Sequence, residues 1–390
     1  MLTNRINTLS ESITIAITTL AGELKAQGKD ILSFSAGEPD FDTPQVIKDA
    51  AIAAINNGYT KYTAVDGIPA LKEAIAKKLK RDNNLEYAAN QIIVNNGAKH
   101  SLFNLFSATI EDDDEVIIPA PYWVTYPELV KYCGGTPVTI KTDDTSGFKI
   151  TPQQLKSAIT PRTKMLVLTT PSNPTGAVYS KEEITALGEV LQGTKILVAS
   201  DEMYEKLTYE GEFTSTASVS EDMFRRTITI NGLSKSVAMT GWRFGYMAAY
   251  DTELIKATKK LQSQSTSNIN SITQYAAIAG LDGSDDDDVA MMKTEFIKRR
   301  DEAVKLFNAI DGLSVLKPDG AFYLFVNIKE ISNDSLTFSQ ELLKSKGVAV
   351  VPGVGFGSEG YFRFSFATGI ATIREGIKRI EAFIQESKEK

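Results

Sequence analysis

Seven short runs rich in β-branched and other apolar residues recur between about residues 90 and 250, and they constrain the fold more than any other feature. In chain order they read QIIVNN, DEVIIPA, TPVTIK, KMLVLTT, KILVASD, TITINGL and GYMAAY. Segments with helical periodicity, such as SLFNLFSATI and KEEITALGEVL, follow several of them. Strands with little polar alternation that are separated by helices are typical of a mostly parallel sheet covered on both faces. The sequence therefore predicts an α/β fold whose large domain holds a mostly parallel seven-stranded sheet flanked by helices.

The last third of the chain has a different pattern, which predicts a smaller α+β domain. AFYLFVNI, VAVVPG and YFRFSFA are typical of strands, and IREGIKRIEAFIQESKEK has the period of an amphipathic helix. The predicted division is an N-terminal arm at 1–14, a large domain at 46–295, and a small domain formed by 15–45 together with 296–390. We interpret the acidic run DGSDDDDVA, at 282–290, as a solvated loop between helices.

Composition excludes several classes of function. The net charge is -7 and the pI about 5.1, with no basic stripe, so no nucleic-acid partner is predicted. The single cysteine, Cys133, leaves no internal disulfide and fits a reducing cytoplasm, where we expect the protein to work. The single histidine, His100, makes a Ser-His-Asp triad or a multi-histidine metal site improbable, and we predict no metal. No stretch approaches the ~18 uninterrupted apolar residues of a membrane span.

Ligands of such sheets bind beyond the carboxyl ends of the strands, so the residues that follow each strand are the candidates for a site. After QIIVNN comes GAKHS, in which Gly97, Ala98 and Lys99 stand between a strand and a helix. A glycine at that position leaves backbone N–H groups free at the positive end of the helix dipole, which suits a phosphate. A plain strand-to-helix turn is the alternative.

Three further strands are followed by residues that suit a flat, charged ligand. Trp123, in PYWVTYP, could stack on an aromatic ring, although aromatics at such positions usually belong to the core. Two X-Pro steps and a glycine stiffen PSNPTGAVYS and direct Asn173 along the strand axis, unless the segment is a plain turn. Asp201, directly behind KILVAS, either caps the next helix or pairs with a buried cation, because an unpaired buried acid is costly.

The segment NGLSKSVAMTGWRFGY places Lys235 between Ser234 and Ser236, with Arg243 eight positions further on. A solvated surface lysine does not need small neighbours on both sides and a following arginine. Small neighbours let the amine approach a ring face, and the arginine would neutralise a buried phosphate.

One ligand would use all these residues together, and that ligand is pyridoxal 5′-phosphate (PLP). Its phosphate would bind the turn at 97–99 with Ser234 and Arg243. Its ring would stack on Trp123 and pair its protonated nitrogen with Asp201. The amine of Lys235 would bond covalently to the aldehyde. The side chains expected to hydrogen-bond a ring oxygen are Asn173 and Tyr204.

The chain resembles the class I aminotransferases of PLP fold type I, and among them the bacterial-type aspartate aminotransferases. The matching stretches are SAGEPDFDTP, TKYTAVDGIPALKEAI, NNGAKHSLFN, PYWVTYPE, PSNPTGAVYS, SDEMYE, SKSVAMTGWRFGY and, in the last third, VAVVPG followed by YFRFSFA. They span residues 35–367 in the family's order. The resemblance implies reversible amino transfer from L-aspartate to 2-oxoglutarate. Aromatic amino acids, prephenate and alanine are the alternative substrates, since the same cofactor apparatus serves them.

The resemblance also implies roles for individual residues. Lys235 is the Schiff-base lysine, and Arg363, in YFRFSFA, grips the α-carboxylate of the substrate through a bidentate pair. Gly37, in SAGEPD, offers its backbone close to the substrate. Tyr62 reaches the phosphate bound by a neighbouring subunit, which implies a homodimer with shared active sites. The other cofactor contacts implied are Gly97, Ala98, Lys99, Trp123, Asn173, Asp201, Tyr204, Ser234 and Arg243, of which Lys99, Trp123 and Asn173 also face the substrate.

One segment departs from the animal-type members, which bind the distal carboxylate of the substrate with an arginine from the partner chain. The matching segment here, LQSQSTSNINSITQYAA, has no Arg or Lys after Lys260 until Lys293. Bacterial-type relatives use a lysine near the phosphate turn with help from N-terminal hydroxyls. Lys99 matches that lysine, and the hydroxyls are expected to be Ser12 and Thr14. Lys99 could equally be a phosphate neighbour or a solvated residue.

A competing motif is GFGSEG at 355–360, which spells the G-x-G-x-x-G of dinucleotide-binding dehydrogenases. That motif needs a helix directly after it, whereas YFRFSF is predicted to be a strand. The aminotransferase interpretation is therefore preferred.

Overall fold

The computed structural model describes residues 2–11 and 13–388, and within them the large sheet has the predicted strands. The strands are β1 Leu32–Ser33, β2 Ile92–Asn95, β3 Glu115–Ala120, β4 Thr136–Lys141, β5 Thr163–Thr169, β6 Leu197–Asp201, β7 Thr227–Gly232, β8 Gly245–Ala249, β9 Tyr323–Asn327, β10 Val348–Ala349, β11 Val351–Pro352 and β12 Tyr361–Ser365. Strands β2 to β8 form one seven-stranded sheet in the order β2-β8-β7-β6-β5-β3-β4. Only β8 runs antiparallel to its neighbours in that sheet. The predicted mostly parallel sheet is confirmed.

Helices follow most strands of this sheet, as the sequence periodicity predicts. The α-helices are α1 Asn4–Asn7, α2 Ile13–Ala26, α3 Gln45–Asn56, α4 Pro69–Asn83, α5 Ala98–Thr109, α6 Thr125–Tyr132, α7 Pro152–Ala158, α8 Lys181–Leu191, α9 Glu221–Arg226, α10 Thr252–Ser263, α11 Ser271–Ala279, α12 Asp286–Phe307, α13 Ser335–Lys346 and α14 Ile370–Lys388. Local chemistry explains where some begin: Ser180 caps α8 by accepting from the Glu183 N–H in a capping box. Thr151 caps α7 in the same way, with Pro152 in the first turn.

The central strands lack polar alternation because both faces of the sheet are buried. Met165 and Val167 of β5 belong to an apolar cluster that includes Phe106 of α5. Leu166 and Leu168 of the same strand belong to a second cluster, which includes residues of α8. Consecutive strand residues point to opposite faces, so helices on both sides require apolar residues throughout.

The last third forms two small sheets, and one predicted strand is divided between them. VAVVPG provides β10, which pairs with β1 in parallel, and β11, which pairs with β12 antiparallel. Strand β12 also pairs with β9, and this places Arg363 opposite Phe325 and Ser365 opposite Tyr323. The arrangement brings the N-terminal segment after β1 next to β12.

The acidic run at 282–290 is only partly the predicted loop between helices, because residues 282–285 form the turn between α11 and α12 whereas α12 begins at Asp286. Asp286, Asp287 and Asp288 occupy the first turn of that helix, where free N–H groups and the helix dipole favour carboxylates. The predicted domain boundary at 295 lies inside this helix, and the division into domains stays a prediction. Within residues 2–11 and 13–388, every helix is too short or too polar to cross a membrane.

Candidate active site

A cavity of about 240 Å³ lies at the carboxyl ends of β5 and β6, the position expected for ligands of a parallel sheet. Nine of the predicted site residues line this cavity. They are Ala98, Lys99, Trp123, Asn173, Asp201, Tyr204, Ser234, Lys235 and Arg243. Residues that are far apart in the sequence therefore meet in one place, as the interpretation of the strand-end loops requires.

Lys235 follows β7, and its amine faces the cavity next to the segment after β1. The Nζ atom donates to the backbone carbonyl of Gly37. Burial lowers the pKa of Lys235 to about 8, with the positive charges of Arg363 and Arg243 acting in the same direction and Glu38 opposing them. An amine with this pKa is neutral in a sizeable fraction of molecules near neutral pH, so it can act as a nucleophile or a base.

Asp201 ends β6 and is held in place by a tyrosine. Its Oδ2 atom accepts from the Tyr126 hydroxyl at 2.6 Å, and its Oδ1 atom accepts from the Met203 N–H at 3.3 Å. Burial raises the pKa of Asp201, while the Tyr126 and Met203 hydrogen bonds oppose that rise. The alternative role as a helix cap is absent, since Tyr204 occupies the N-cap of the following 3₁₀ turn. Asp201 keeps lone pairs available for a cation in the cavity.

The N-terminus of α5 and Arg243 form a positively charged seat at another wall of the cavity. Gly97 occupies the N-cap with φ 84°, and no side chain caps the helix. A Cβ atom on Gly97 would lie 2.7 Å from Nη2 of Arg243. A Cβ atom on Gly245 would lie 2.4 Å from the backbone nitrogen of Ala98, so β8 approaches the turn only because it has glycine there. Free backbone N–H groups beside a guanidinium suit a phosphate.

Lys99 lies over the indole of Trp123, with 4.9 Å between Nζ and the ring centroid. Burial lowers the pKa of Lys99, and the charge of Arg243 lowers it further. The Lys99 side chain remains exposed at the mouth of the cavity that it lines. Its ammonium group is available to a negatively charged group bound in the cavity.

Arg363 approaches the site from β12 and has an unused donor. Its Nη1 atom donates to Oδ1 of Asn173 at 2.9 Å, and its Nη2 atom donates to the Ser35 carbonyl at 2.8 Å. Its buried Nε atom has no hydrogen-bond partner among the described residues. The side chain is 3% exposed, and burial lowers its pKa. An orphaned donor on a buried guanidinium is costly, and a carboxylate ligand would satisfy it.

Tyr62 is not brought to this cavity by the described part of the chain, and the side chains of two further predicted residues fall outside that part. Tyr62 is 92% exposed. Ser12 lies outside the described residues, and so does the side chain of Thr14, whose backbone belongs to the first turn of α2. The hydroxyl contribution expected from both residues stays a prediction.

Sequence reasoning missed several residues of the site. Tyr126, Thr169, Met203 and Thr240 also line the cavity. Tyr126 belongs to the aromatic cluster of PYWVTYP, but nothing in that cluster indicates which ring points to Asp201. Tyr323 reaches Tyr204 from β9, and a strand residue of a different sheet gives no signal of such a contact.

The family follows from comparison with known proteins. The model of the family "Aminotransferase class I and II" matches residues 29–380. The chain belongs to the class I and II aminotransferase family. The resemblance drawn from the sequence motifs is therefore confirmed, and the enzyme is an aminotransferase.

Individual relatives match this aminotransferase over nearly its full length. An aspartate aminotransferase of Bacillus subtilis (strain 168) is 49% identical, with 99% of each chain covered. An aspartate/prephenate aminotransferase of Nitrosomonas europaea is 47% identical and covers 98% of this chain and 99% of its own. The solved structure of Thermus thermophilus aspartate aminotransferase with maleate is 41% identical, has a TM-score of 0.94, and covers 98% of this chain and 99% of its own.

Proposed function

We propose that this enzyme transfers an amino group reversibly from L-aspartate to 2-oxoglutarate, giving oxaloacetate and L-glutamate, with PLP as its cofactor. One observation carries the proposal: a single cavity holds a lysine whose pKa is lowered to about 8 and a buried carboxylate, with an arginine bearing an unused donor beside it. The full-length relatives named aspartate aminotransferase support aspartate as the amino donor.

The residues of the cavity fit PLP. When bound, the cofactor supplies an aldehyde that bonds to amines and a ring that delocalises the electrons left when a Cα proton departs. Asp201, with lone pairs not used by Tyr126 or Met203, would hold the proton of the ring nitrogen. The free N-terminus of α5, with Ser234 and Arg243, would hold the phosphate. Asn173 and Tyr204 would bond the ring oxygen, and Trp123 would cover the ring.

Lys235 moves the proton in this proposal. As a free amine, its Nζ atom would take the proton from Cα of the amino acid and hold it for return in the second half of the transfer. A pKa near 8 suits both directions, because the amine is basic enough to take a proton and acidic enough to give it back. The Gly37 carbonyl, which already accepts from Nζ, keeps the amine on this side of the cavity.

Arg363 binds and orients the substrate. Its Nε–H, together with a second N–H of a terminal nitrogen, would form a bidentate pair with the α-carboxylate. Asn173 and the Ser35 carbonyl hold the plane of the guanidinium before the substrate arrives. Fixing the carboxylate fixes the direction of the Cα–H bond relative to Lys235, so Arg363 contributes to the rate as well as to affinity.

Lys99 would bind the distal carboxylate of aspartate. Its position over Trp123 supports this assignment, because the ammonium group stands at the wall of the cavity, where it would attract an anionic group of a bound substrate. Relatives named aspartate/prephenate aminotransferase are 47% identical, so prephenate is the second amino acceptor that we consider. Aromatic amino acids and alanine remain alternative donors.

The active enzyme would be a homodimer with shared sites. Tyr62 is 92% exposed, and Ile52, Ile55 and Tyr59 are exposed in the stretch before it. An open cavity of about 530 Å³ beside Arg243 has room for a partner side chain, and Tyr62 of a second copy would enter it. The single cysteine is compatible with the reducing cytoplasm, which we propose as the location of the enzyme.

The direct test is an assay of the purified protein loaded with PLP. Oxaloacetate formed from L-aspartate and 2-oxoglutarate is followed by coupling to malate dehydrogenase, and alanine, phenylalanine and glutamate with prephenate are compared. Borohydride reduction followed by peptide mass spectrometry should place the cofactor on Lys235, with Lys195 on the surface as an internal control. A cofactor adduct elsewhere, or transfer from the other donors without transfer from aspartate, would contradict the proposal.

A further inference from the structure

Tyr323 contacts three parts of the proposed site without lining the cavity. It begins β9 and is fully buried, and its hydroxyl lies 2.8 Å from the hydroxyl of Tyr204. A Cβ atom on Gly37 would lie 3.2 Å from the same hydroxyl. Tyr323 is thus packed between Gly37, whose carbonyl accepts from Lys235, and Tyr204, which is proposed to bond the ring oxygen.

The face of the Tyr323 ring supports Arg363. The guanidinium carbon lies 4.4 Å from the centre of that ring, and the ring of Phe356 is 5.1 Å away. A guanidinium over an aromatic face is attracted by the ring quadrupole, and the attraction is larger when both groups are desolvated. Arg363 makes only two hydrogen bonds to the described residues. The Tyr323 ring is therefore the nearer of the two aromatic rings that support the guanidinium.

An acceptor facing Tyr204 would decide which of the two hydroxyls, that of Tyr204 or that of Tyr323, donates the hydrogen bond between them. A phenol has one proton to donate. If Tyr204 gives its proton to the ring oxygen of the cofactor, the hydrogen bond between the two tyrosines requires the proton of Tyr323. Donation into a hydroxyl strengthens the bond that this hydroxyl donates in turn, since hydrogen bonds in a chain polarise one another.

We propose that Tyr323 is a positioning residue that couples Arg363, which binds the substrate carboxylate, to Tyr204, which bonds the ring oxygen of the cofactor. The face of its ring supports Arg363, and its hydroxyl bonds Tyr204. The proposal rests on the proposed function, because it needs PLP in the cavity. A tyrosine that only filled space would use its ring and not its hydroxyl. Replacing Tyr323 by phenylalanine therefore separates the two roles.

The hydroxyl is tested by titrating the visible absorption band of the PLP-loaded enzyme with pH. The ring oxygen would carry more negative charge in the deprotonated form of the bound cofactor, so a stronger hydrogen-bond donor at Tyr204 would lower the midpoint of that titration. Tyr204→Phe should raise the midpoint by about 1 to 2 pH units, the value of a hydrogen bond to a charged group. Tyr323→Phe should raise it by about 0.1 to 0.7 unit, the cooperative part of the same bond.

The matched control is Tyr361→Phe, which removes a buried tyrosine hydroxyl from the neighbouring strand of the same sheet. That hydroxyl bonds Lys329 at 2.8 Å and Asp144 at 3.2 Å, away from the cavity, and its loss should leave the midpoint unchanged. An unshifted midpoint in Tyr323→Phe beside a shifted one in Tyr204→Phe overturns the hydroxyl link. An equal shift in Tyr361→Phe overturns it as well. A wild-type protein without any visible band overturns the proposed function itself.

The ring is tested by the KM for aspartate. Tyr323→Phe keeps the aromatic face under Arg363 and should change this KM less than twofold, whereas Tyr323→Leu should raise it by about 2- to 30-fold. The thermal midpoint of each variant shows that it is folded. A KM in Tyr323→Leu equal to that of the wild-type enzyme overturns the supporting role of the ring.

Discussion

Replacing Arg363 by lysine keeps the positive charge and removes the bidentate hydrogen-bond donor. The substitution therefore measures how much the geometry of the guanidinium contributes to kcat/KM. In the structure, the Nε–H of Arg363 is buried without a partner. A lysine at this position would lose the second hydrogen bond to the α-carboxylate and the bonds to Asn173 and Ser35 that orient the group. One charge-assisted hydrogen bond is worth about 1.5 to 3 kcal/mol. The expected loss in kcat/KM for aspartate is therefore about 10- to 150-fold.

The assay compares kcat/KM for L-aspartate and for L-alanine, each with 2-oxoglutarate. Both donors carry an α-carboxylate, so both should lose by a similar factor in Arg363→Lys. The control is Arg374→Lys on α14, where the arginine is exposed and pairs with Glu302 at 2.7 Å. The control should keep wild-type kinetics. The reasoning is refuted if Arg363→Lys retains kcat/KM for aspartate within threefold of wild type, or if the loss is confined to one donor.

Three further outcomes are expected. Lys99→Ala should lower kcat/KM for aspartate by about 10- to 150-fold and leave alanine nearly unchanged, because only aspartate has a distal carboxylate; Lys131→Ala is the surface control, and equal losses for both donors would remove Lys99 from the substrate site. Burial raises the pKa of Glu202 to about 7 from an ordinary 4.5, so the folded state binds more protons than the unfolded state and the free energy of unfolding should fall by about 3 kcal/mol as pH rises through that window. Urea unfolding of Glu202→Gln should show a flatter pH profile there than Glu341→Gln, and identical profiles would count against the raised pKa. Mixing the Lys235→Ala and Tyr62→Ala variants under conditions that exchange subunits should give more activity than the two variants show separately. The reason is that one site of the mixed dimer has both the native Lys235 and the native Tyr62. No gain in a verified mixed dimer would exclude sharing of the site through Tyr62.

The fold was predictable where one local pattern decided it. The runs that form β2 to β8 are apolar throughout because both faces are covered, and this signal survives in the sequence alone. The acidic run before α12 shows the limit of composition. A run of carboxylates is typical of a solvated loop, yet Asp286 to Asp288 lie in the first turn of α12, where the helix dipole stabilises them. Where that helix begins depends on the packing of the rest of α12.

The candidate site was predictable where a residue follows a strand of the large sheet. Asp201 and Lys235 are of this kind, since the carboxyl ends of β6 and β7 must lie side by side. The contacts of Tyr126 and Tyr323 depend on the direction of a ring and on the docking of β9, and no local spacing encodes either. The role proposed for Tyr62 requires a second copy of the chain, so the fold of one copy cannot indicate it.

The segment after β1 links Lys235 and Arg363, the two basic residues of the proposed mechanism, to the fold. The Ser35 carbonyl accepts from Arg363, and the Gly37 carbonyl accepts from Lys235. Phe34, one residue earlier, is fixed on both sides, because its N–H donates to Ala349 and its carbonyl accepts from Ser365. These backbone bonds hold the two carbonyls in place before any ligand binds, so the positions of the amine and the guanidinium are set relative to each other. Ligand binding must replace the Gly37 contact of Lys235, whereas Arg363 can keep Ser35 and still offer Nε. The same short segment therefore restrains the Lys235 amine, which must move when a ligand binds, and supports the Arg363 guanidinium, which can stay in place.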